Sequence, residues 1–263
     1  MTRRSCDGDG LLAAFRAAVV ELEAHVDEVN ALNVYPVPDG DTGSNMLATV
    51  RAALVEGEGA GSAATAERVA AAGYYVMLPD LYYRTGYQPP GFNLFADATL
   101  RADFLTRIAP TIAAAPIMRD TKAFLAHLDA EHSVRREPVG VFGYCMGGRL
   151  ALVAAGSHPD RIAAAAAYHP GEVATEAPDS PHLLAPQMRA RLYIGRAKDD
   201  PSFDEAAREK LEHALRAAGV DYTLETYDAR HGWVPVDHPM HDAAGTARHW
   251  ETLLPFLRET LGG

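Results

Sequence analysis

Cys145 lies at the centre of the hexapeptide GYCMGG at positions 143–148, between an apolar run and a segment with helical character. This pattern is typical of a nucleophile elbow, in which a strand turns sharply into a helix and the central residue takes a strained backbone conformation. Glycines on both sides permit the close approach of strand and helix. The helix N-terminus favours a thiolate at this position, so Cys145 is predicted to be a catalytic nucleophile.

His231 and one of two adjacent aspartates could complete a catalytic triad, because each follows a segment that resembles a strand. His231 would accept the thiol proton, and an aspartate would hold the imidazole in the required tautomer. The thiolate would then attack an ester or lactone carbonyl. Asp200 is the preferred acid and Asp199 the alternative. The amide N–H of Met146 is predicted to supply one donor of the oxyanion hole.

The elements that must position these side chains alternate between strand and helix. Strands are predicted at 74–78, 139–142, 162–168, 191–195 and 222–227, and helices at 66–72, about 100–131, 204–218 and 242–261. Strands separated by helix-length segments pair in parallel with helices on both faces, so the predicted fold is α/β, with a doubly wound, mostly parallel sheet. Ligands bind such sheets beyond the carboxyl ends of the strands, where the cysteine, aspartate and histidine lie.

The composition of the chain limits the classes of molecule that it is expected to bind. The chain has 263 residues, a formal net charge of −11 and a pI near 5.4, which leaves no basic field for a nucleic acid. The only two cysteines, Cys6 and Cys145, indicate a reducing compartment rather than a disulfide framework. No run is long and apolar enough to span a membrane. A cytoplasmic protein acting on a small molecule is therefore expected, and its oligomeric state stays open.

The first 56 residues have a different pattern from the rest of the chain. Apolar residues at helical spacing predict a helix over 11–29, and a Pro- and Gly-rich loop at 33–43 precedes a second helix to about residue 55. Residues 57–65 are rich in small side chains and are predicted to be a linker. The expected organisation is therefore an N-terminal helical segment over 1–56, this linker and an α/β domain over 66–263.

Residues from about 66 to 261 resemble the dienelactone hydrolase family, whose members are cysteine-dependent proteins of the α/β-hydrolase superfamily. The resemblance rests on PDLYYR at 79–84, GYCMGG at 143–148, YHPG at 168–171, the loop 195–200 and HGW at 231–233. It implies a hydrolase of small esters or lactones that needs no cofactor, with Cys145, Asp200 and His231 as its triad. It also implies that Arg84 binds a carboxylate of the substrate.

Two departures from the family pattern affect the expected sheet and substrate. In the family, a further central strand precedes the PDLY strand, and its trailing loop supplies the second oxyanion donor. Residues 56–66 contain no β-branched apolar run, so one central strand is predicted to be missing. Either the strand at 74–78 pairs directly with the elbow strand, or segment 32–37 fills the gap, or the domain is destabilised. Residues 234–237 lack the family's second basic residue, which argues against dienelactone itself as the substrate.

Residues 31–46, ALNVYPVPDGDTGSNM, resemble the opening of the nucleotide-binding helical domain of dihydroxyacetone kinases and the related bacterial fatty-acid kinase. There, the aspartates of the Asp-Gly-Asp loop hold magnesium ions that bridge the phosphates of ATP. The resemblance thus implies Asp39 and Asp41 as metal ligands, although the same residues also suit an ordinary turn between helices. An ATP- and magnesium-binding phosphotransferase, or an inactive fusion remnant, is therefore the alternative to the hydrolase.

Overall fold

Four parallel strands form the sheet, in the spatial order β1-β2-β3-β4. The computed structural model describes residues 62–86, 97–132, 134–135, 137–236 and 238–262. Its strands are β1 Val139–Tyr144, β2 Ile162–Tyr168, β3 Arg191–Asp199 and β4 Tyr222–Arg230. The predicted parallel α/β sheet is confirmed, and three of its strands extend beyond their predicted ends.

Seven α-helices precede, connect or follow the strands in the described residues. They are α1 Ser62–Ala71, α2 Ala98–Asp103, α3 Ala114–Ala130, α4 Met146–Ser157, α5 Pro181–Leu184, α6 Glu205–Ala218 and α7 Ala243–Leu261. A π-helical turn, Phe104–Ile108, and a 3₁₀ turn, Ala109–Ile112, separate α2 from α3. The region predicted as helical from about 100 to 131 is helical, but it is not one continuous α-helix. Pro110, in the 3₁₀ turn, has no N–H to donate to a preceding carbonyl.

The sheet carries helices on both faces. Ala165 and Ala167 of β2 pack in a buried core with side chains of α3, α4 and α6. The opposite face carries α7: a β-carbon placed at Gly140 would lie 2.8 Å from Leu261 and 3.7 Å from the β-carbon of Ala164. Successive residues of a strand point to opposite faces, so this alternation along β2 confirms the doubly wound arrangement.

Side-chain caps fix the starts of α6 and α7. Asp204 accepts a hydrogen bond from the Ala207 amide at 2.8 Å, and Asp242 accepts one from the Gly245 amide at 2.6 Å. Helix α6 ends at Gly219, which takes the left-handed conformation with φ 69°. Both helices predicted to begin at these aspartates are therefore present, with the aspartate as the capping residue rather than the first helical one.

The strand predicted at 74–78 is wrong. These residues take no regular secondary structure, and Tyr75 and Leu78 are 49% and 53% exposed. A strand persists only where a neighbour supplies its ladder of hydrogen bonds, and in the described part of the chain β1 pairs with β2 alone. Direct pairing of 74–78 with the elbow strand is thus excluded as the answer to the missing central strand. Segment 32–37 lies outside the described residues.

The chain divides into two compact units, residues 1–72 with 76–78, and residues 73–75 with 79–263. In the first unit, α1 begins at Ser62, inside the predicted linker 57–65 and four residues before the predicted helix start at 66. An alanine-rich run without glycine favours helix here. The predicted N-terminal helices and their loop lie outside the described residues. None of the described helices combines the length and apolar character needed to cross a membrane.

Candidate active site

The turn predicted at 143–148 joins β1 to α4, with Cys145 between the two elements. Cys145 has φ 53° and ψ −120°, a backbone conformation that costs a non-glycine residue about 1–3 kcal/mol. A β-carbon at Gly143 would overlap the backbone carbon and oxygen of Gly147, and one at Gly148 would lie 3.1 Å from the Gly143 oxygen. Strand and helix therefore approach so closely that glycine is sterically required at position 143, and a side chain at position 148 would be crowded by backbone.

The N-terminus of α4 presents amide groups beside the thiol. The first hydrogen bond of the helix runs from the Arg149 amide to the Cys145 carbonyl oxygen at 3.1 Å. The amide of Met146 precedes this bond, so it has no carbonyl partner one turn back in the helix. Together with the helix dipole, this amide suits the oxyanion role that the sequence assigns to Met146. That role stays a prediction.

A hydrogen bond joins the side chains of Asp200 and His231. Nδ1 of His231 lies 2.6 Å from Oδ2 of Asp200, and Asp200 is only 4% exposed. Oδ1 of Asp200 accepts hydrogen bonds from the amide and the hydroxyl of Ser202, at 2.9 and 2.5 Å. Burial alone would raise the pKa of Asp200, but the bonds from His231 and Ser202 outweigh it and hold that pKa below its usual value. Asp199, the alternative acid, is exposed at the end of β3.

His231 interacts with Cys145 as well as with Asp200. Burial lowers the pKa of His231, yet hydrogen bonds to Asp200 and Cys145, with the charges of both, outweigh burial and raise it to about 10. Because Nδ1 faces Asp200, Nε2 is the ring nitrogen that remains for the thiol. The structure thus brings together the three residues that the sequence proposes as a triad.

His169, which sequence reasoning did not assign to the site, follows β2 and contacts the same residues. It is 1% exposed, and its Nδ1 accepts a hydrogen bond from the Cys145 amide at 3.1 Å. Its ring centroid lies 5.0 Å from that of His231 and 4.8 Å from that of Trp233. Burial lowers the pKa of His169 to about 3. Its signal in the sequence was the position of a histidine at the carboxyl end of a buried strand, in YHPG.

Arg84, the predicted binder of a substrate carboxylate, pairs with an acidic residue of the protein. Nη1 of Arg84 lies 2.6 Å from Oδ2 of Asp120 on α3, and Nη2 bonds to the other oxygen of the same carboxylate. The hydroxyl of Tyr83 donates to Asp120 at 3.2 Å. The guanidinium is thus held in a two-pronged ion pair, and its role toward a substrate stays a prediction.

Asp39 and Asp41, the predicted magnesium ligands, lie outside the described residues. The ATP and magnesium site inferred from them stays a prediction. Within the ranges that the structure describes, no group of three or more His, Cys, Asp or Glu side chains is arranged to hold a metal ion.

Comparison with known proteins identifies the family. The family model of the dienelactone hydrolase family matches residues 55–261. A relative from Synechocystis sp. is 27% identical over 200 residues, 74% of this chain and 78% of the relative. The carboxymethylenebutenolidase of Rhodococcus opacus is 26% identical over 203 residues, 74% of each chain.

A solved structure shares the fold. A dienelactone hydrolase-like promiscuous phosphotriesterase from metagenomic libraries superposes with a TM-score of 0.59 at 21% identity, over 77% of this chain and 82% of its own. Nothing in these comparisons bears on the kinase-like resemblance of the N-terminal residues. The match to the family model covers most of the chain and spans the elbow, the aspartate and the histidine. The chain therefore belongs to the dienelactone hydrolase family and is, by class, a carboxylic ester hydrolase.

Proposed function

We propose that this chain hydrolyses small esters or lactones through a triad of Cys145, His231 and Asp200. The single observation that carries the proposal is the His231 ring, which bonds a buried aspartate through Nδ1 and interacts with the elbow cysteine. Membership of the family supports the reaction class. The name of the Rhodococcus opacus relative supports a lactone among the substrates.

Acylation begins with a thiolate–imidazolium pair. Nε2 of His231 takes the thiol proton, and Asp200 holds the ring in the tautomer that permits this transfer. The thiolate attacks the carbonyl carbon, a C–S bond forms, and the carbonyl π electrons move to the oxygen. The Met146 amide donates to that oxyanion. When the intermediate collapses, the C–O bond to the alcohol breaks and the alkoxide takes the proton from Nε2, which leaves a thioester.

Deacylation uses the same groups in the reverse roles. Neutral His231 removes a proton from a water molecule through Nε2, and the oxygen of that water attacks the thioester carbonyl. The C–S bond breaks, and the thiolate returns beside the protonated ring. The products are a carboxylic acid and an alcohol, which for a lactone are two ends of one molecule. The cycle consumes only water and calls for no cofactor.

Two observations favour a substrate without a free carboxylate. Arg84 is held by both oxygens of Asp120, so its charge is already compensated. The turn after His231 continues with Val234 and Val236, where the family resemblance implies a second basic residue. A carboxylate needs a fixed cation to offset its lost hydration, so an uncharged ester or lactone fits these residues better than dienelactone.

Hydrolysis of p-nitrophenyl acetate by the purified full-length chain tests the proposal. Cys145→Ala should abolish turnover, and Cys6→Ala should leave it unchanged because Cys6 has no part in the mechanism. Asp39→Ala with Asp41→Ala should also retain it. Turnover that survives in Cys145→Ala would overturn the proposal. Magnesium-dependent ATP binding with the opposite mutational pattern would establish the phosphotransferase instead, and a chain inert in both assays would be a fusion remnant.

A further inference from the structure

We propose that His169 is a positioning residue for this reaction: its Nδ1 accepts a hydrogen bond from the Cys145 amide and so holds the nucleophile in its strained backbone conformation. The inference rests on the proposed role of Cys145 as nucleophile. It goes beyond the triad, because His169 contacts the backbone amide of the nucleophile and the ring of His231 without taking part in bond making.

The Cys145 amide has two acceptors at the end of β2. It donates to the Tyr168 carbonyl oxygen at 3.0 Å and to Nδ1 of His169 at 3.1 Å. These bonds fix the plane of the peptide that precedes Cys145. The φ angle is rotation about the next bond. With α4 held in place after Cys145, a return from 53° to an unstrained value would have to tilt that plane and lengthen both hydrogen bonds. The acceptors therefore offset the strain of the elbow.

The His169 ring is suited to be a permanent acceptor. Because Nδ1 accepts a hydrogen bond from the Cys145 amide, the ring proton must lie on Nε2. That nitrogen is buried and has no hydrogen-bond partner within the described residues. Burial keeps the ring neutral, with its pKa lowered to about 3. A protonated ring would turn Nδ1 into a second donor facing the amide, so this neutrality preserves the bond across the working pH range.

The backbone of His169 is anchored to the neighbouring strand. Its amide donates to the Gly195 carbonyl oxygen of β3 at 2.7 Å, and it takes φ 39°. Three residues further on, the Glu172 amide donates to the Ser202 carbonyl oxygen at 3.0 Å, and Ser202 bonds Asp200. The loop 168–172 therefore contacts the nucleophile and the base directly, and the acid through Ser202.

Backbone strain concentrates at this loop and the elbow. Among the described residues, the non-glycine positions with positive φ are Cys145, His169 and Glu172. Such conformations persist only where the surrounding contacts impose them, and they cluster at functional sites. A histidine buried merely to fill space needs neither a strained backbone nor a bond to the nucleophile's amide. The ring contact with His231, at 5.0 Å between centroids, adds a second link to the chemistry.

The decisive test compares an acceptor that matches Nδ1 with one that does not. The amide oxygen of an asparagine can occupy the place of Nδ1, whereas a glutamine places its oxygen about one methylene farther out. His169→Asn should keep kcat within about 3-fold of the unsubstituted chain, and His169→Gln and His169→Leu should lower it by about 10- to 100-fold at unchanged KM. His182→Asn, at another buried histidine, is the control and should have no effect on kcat.

A second readout separates this inference from the proposed function. The rate of Cys145 alkylation by iodoacetamide, followed by mass analysis of its peptide, should fall in the same order as kcat. It can be measured even if the chain hydrolyses no ester, in which case the proposed function fails while the positioning role is still tested. Equal alkylation rates in His169→Asn and His169→Gln, at matched thermal stability, would overturn the role of His169. If the leucine variant does not fold, the asparagine and glutamine pair decides.

Discussion

The Nδ1 atom of His231 lies 2.6 Å from the Oδ2 atom of Asp200, while Asp199, one residue earlier, points its side chain into solvent. The buried carboxylate has its second oxygen saturated by the amide and hydroxyl of Ser202. A carboxylate buried and hydrogen-bonded in this way orients the imidazole more strongly than an exposed carboxylate would. Two adjacent residues of the same type thus have different environments, which makes each a control for the other.

Asp200→Asn should lower kcat by on the order of 10²- to 10⁴-fold, because an amide can present the wrong partner to Nδ1 and cannot stabilise the protonated ring. Asp199→Asn should remain within about 2-fold of the unsubstituted chain. Steady-state ester hydrolysis by both variants, with circular dichroism to verify folding, is the measurement. A similar loss in the two variants would contradict the assignment of Asp200.

The raised pKa of His231 predicts where activity declines with pH. The ring keeps its proton below about pH 10 and loses it as the pH rises through that value. An alkyl ester needs that proton on its departing alkoxide, so its kcat/KM should fall above about pH 10. A p-nitrophenyl ester has a leaving group stable without a proton, and its rate should fall less. Profiles from pH 6 to 11 with the two substrates check this, and coincident declines would show that the ring proton is not the cause.

The elbow glycines predict a contrast in stability. A β-carbon at Gly143 would overlap the backbone of Gly147, whereas one at Gly147 would meet nothing within 4 Å. Gly143→Ala should therefore displace the N-terminus of α4, with a loss of unfolding free energy of about 1–3 kcal/mol and of Cys145 reactivity. Gly147→Ala should leave the unfolding free energy unchanged or slightly increased, since alanine favours helix. Chemical denaturation of both variants is the measurement, and equal midpoints would show that the elbow tolerates a side chain at 143.

Local pattern was sufficient for most of the sheet and for its connecting helices. The strand at 162–168 is predicted to the residue, because a short apolar run between helical segments is typical of a central strand buried on both faces. The segment 74–78 has an equally apolar pattern and forms no strand, because pairing depends on a neighbour that local sequence does not encode. The strand predictions differ, therefore, in the availability of a partner rather than in residue type.

The residues of the site likewise differ in whether local sequence was enough to predict them or whether their tertiary contacts were needed. Motif spacing was enough to propose Cys145 and His231 as site residues, because an elbow and a post-strand turn are local features. The sequence already favoured Asp200 over Asp199 as the acid, and the packed structure adds the physical difference between them, since Asp200 is buried and Asp199 is exposed. His169 was missed because its contact with the Cys145 amide joins residues 24 positions apart. The pairing of Arg84 with Asp120, 36 residues away, was equally invisible in the sequence.

Acid destabilisation should reveal the buried, neutral state of His169. Its pKa is about 3 in the folded chain and 6.5 as the ordinary value, so below pH 6.5 the unfolded state binds a proton that the folded state does not. The contribution of neutral His169 to the unfolding free energy is fully present above pH 6.5. It falls by about 1.4 kcal/mol per pH unit as the pH drops from 6.5 towards 3. His169→Asn removes this titration. Between pH 6.5 and 4.5 the unsubstituted chain should lose about 2–3 kcal/mol more unfolding free energy than the variant does.

Urea denaturation at several pH values in that window gives the two stability curves. His231 and the carboxylates titrate in both proteins, so their contributions cancel in the difference between the curves. His182→Asn, at a histidine whose pKa burial also lowers, serves as the reference for a general loss of a buried imidazole. Parallel curves for the unsubstituted chain and His169→Asn would mean that His169 gains its proton in the folded state. Its Nδ1 could then not be a lasting acceptor for the Cys145 amide in acid.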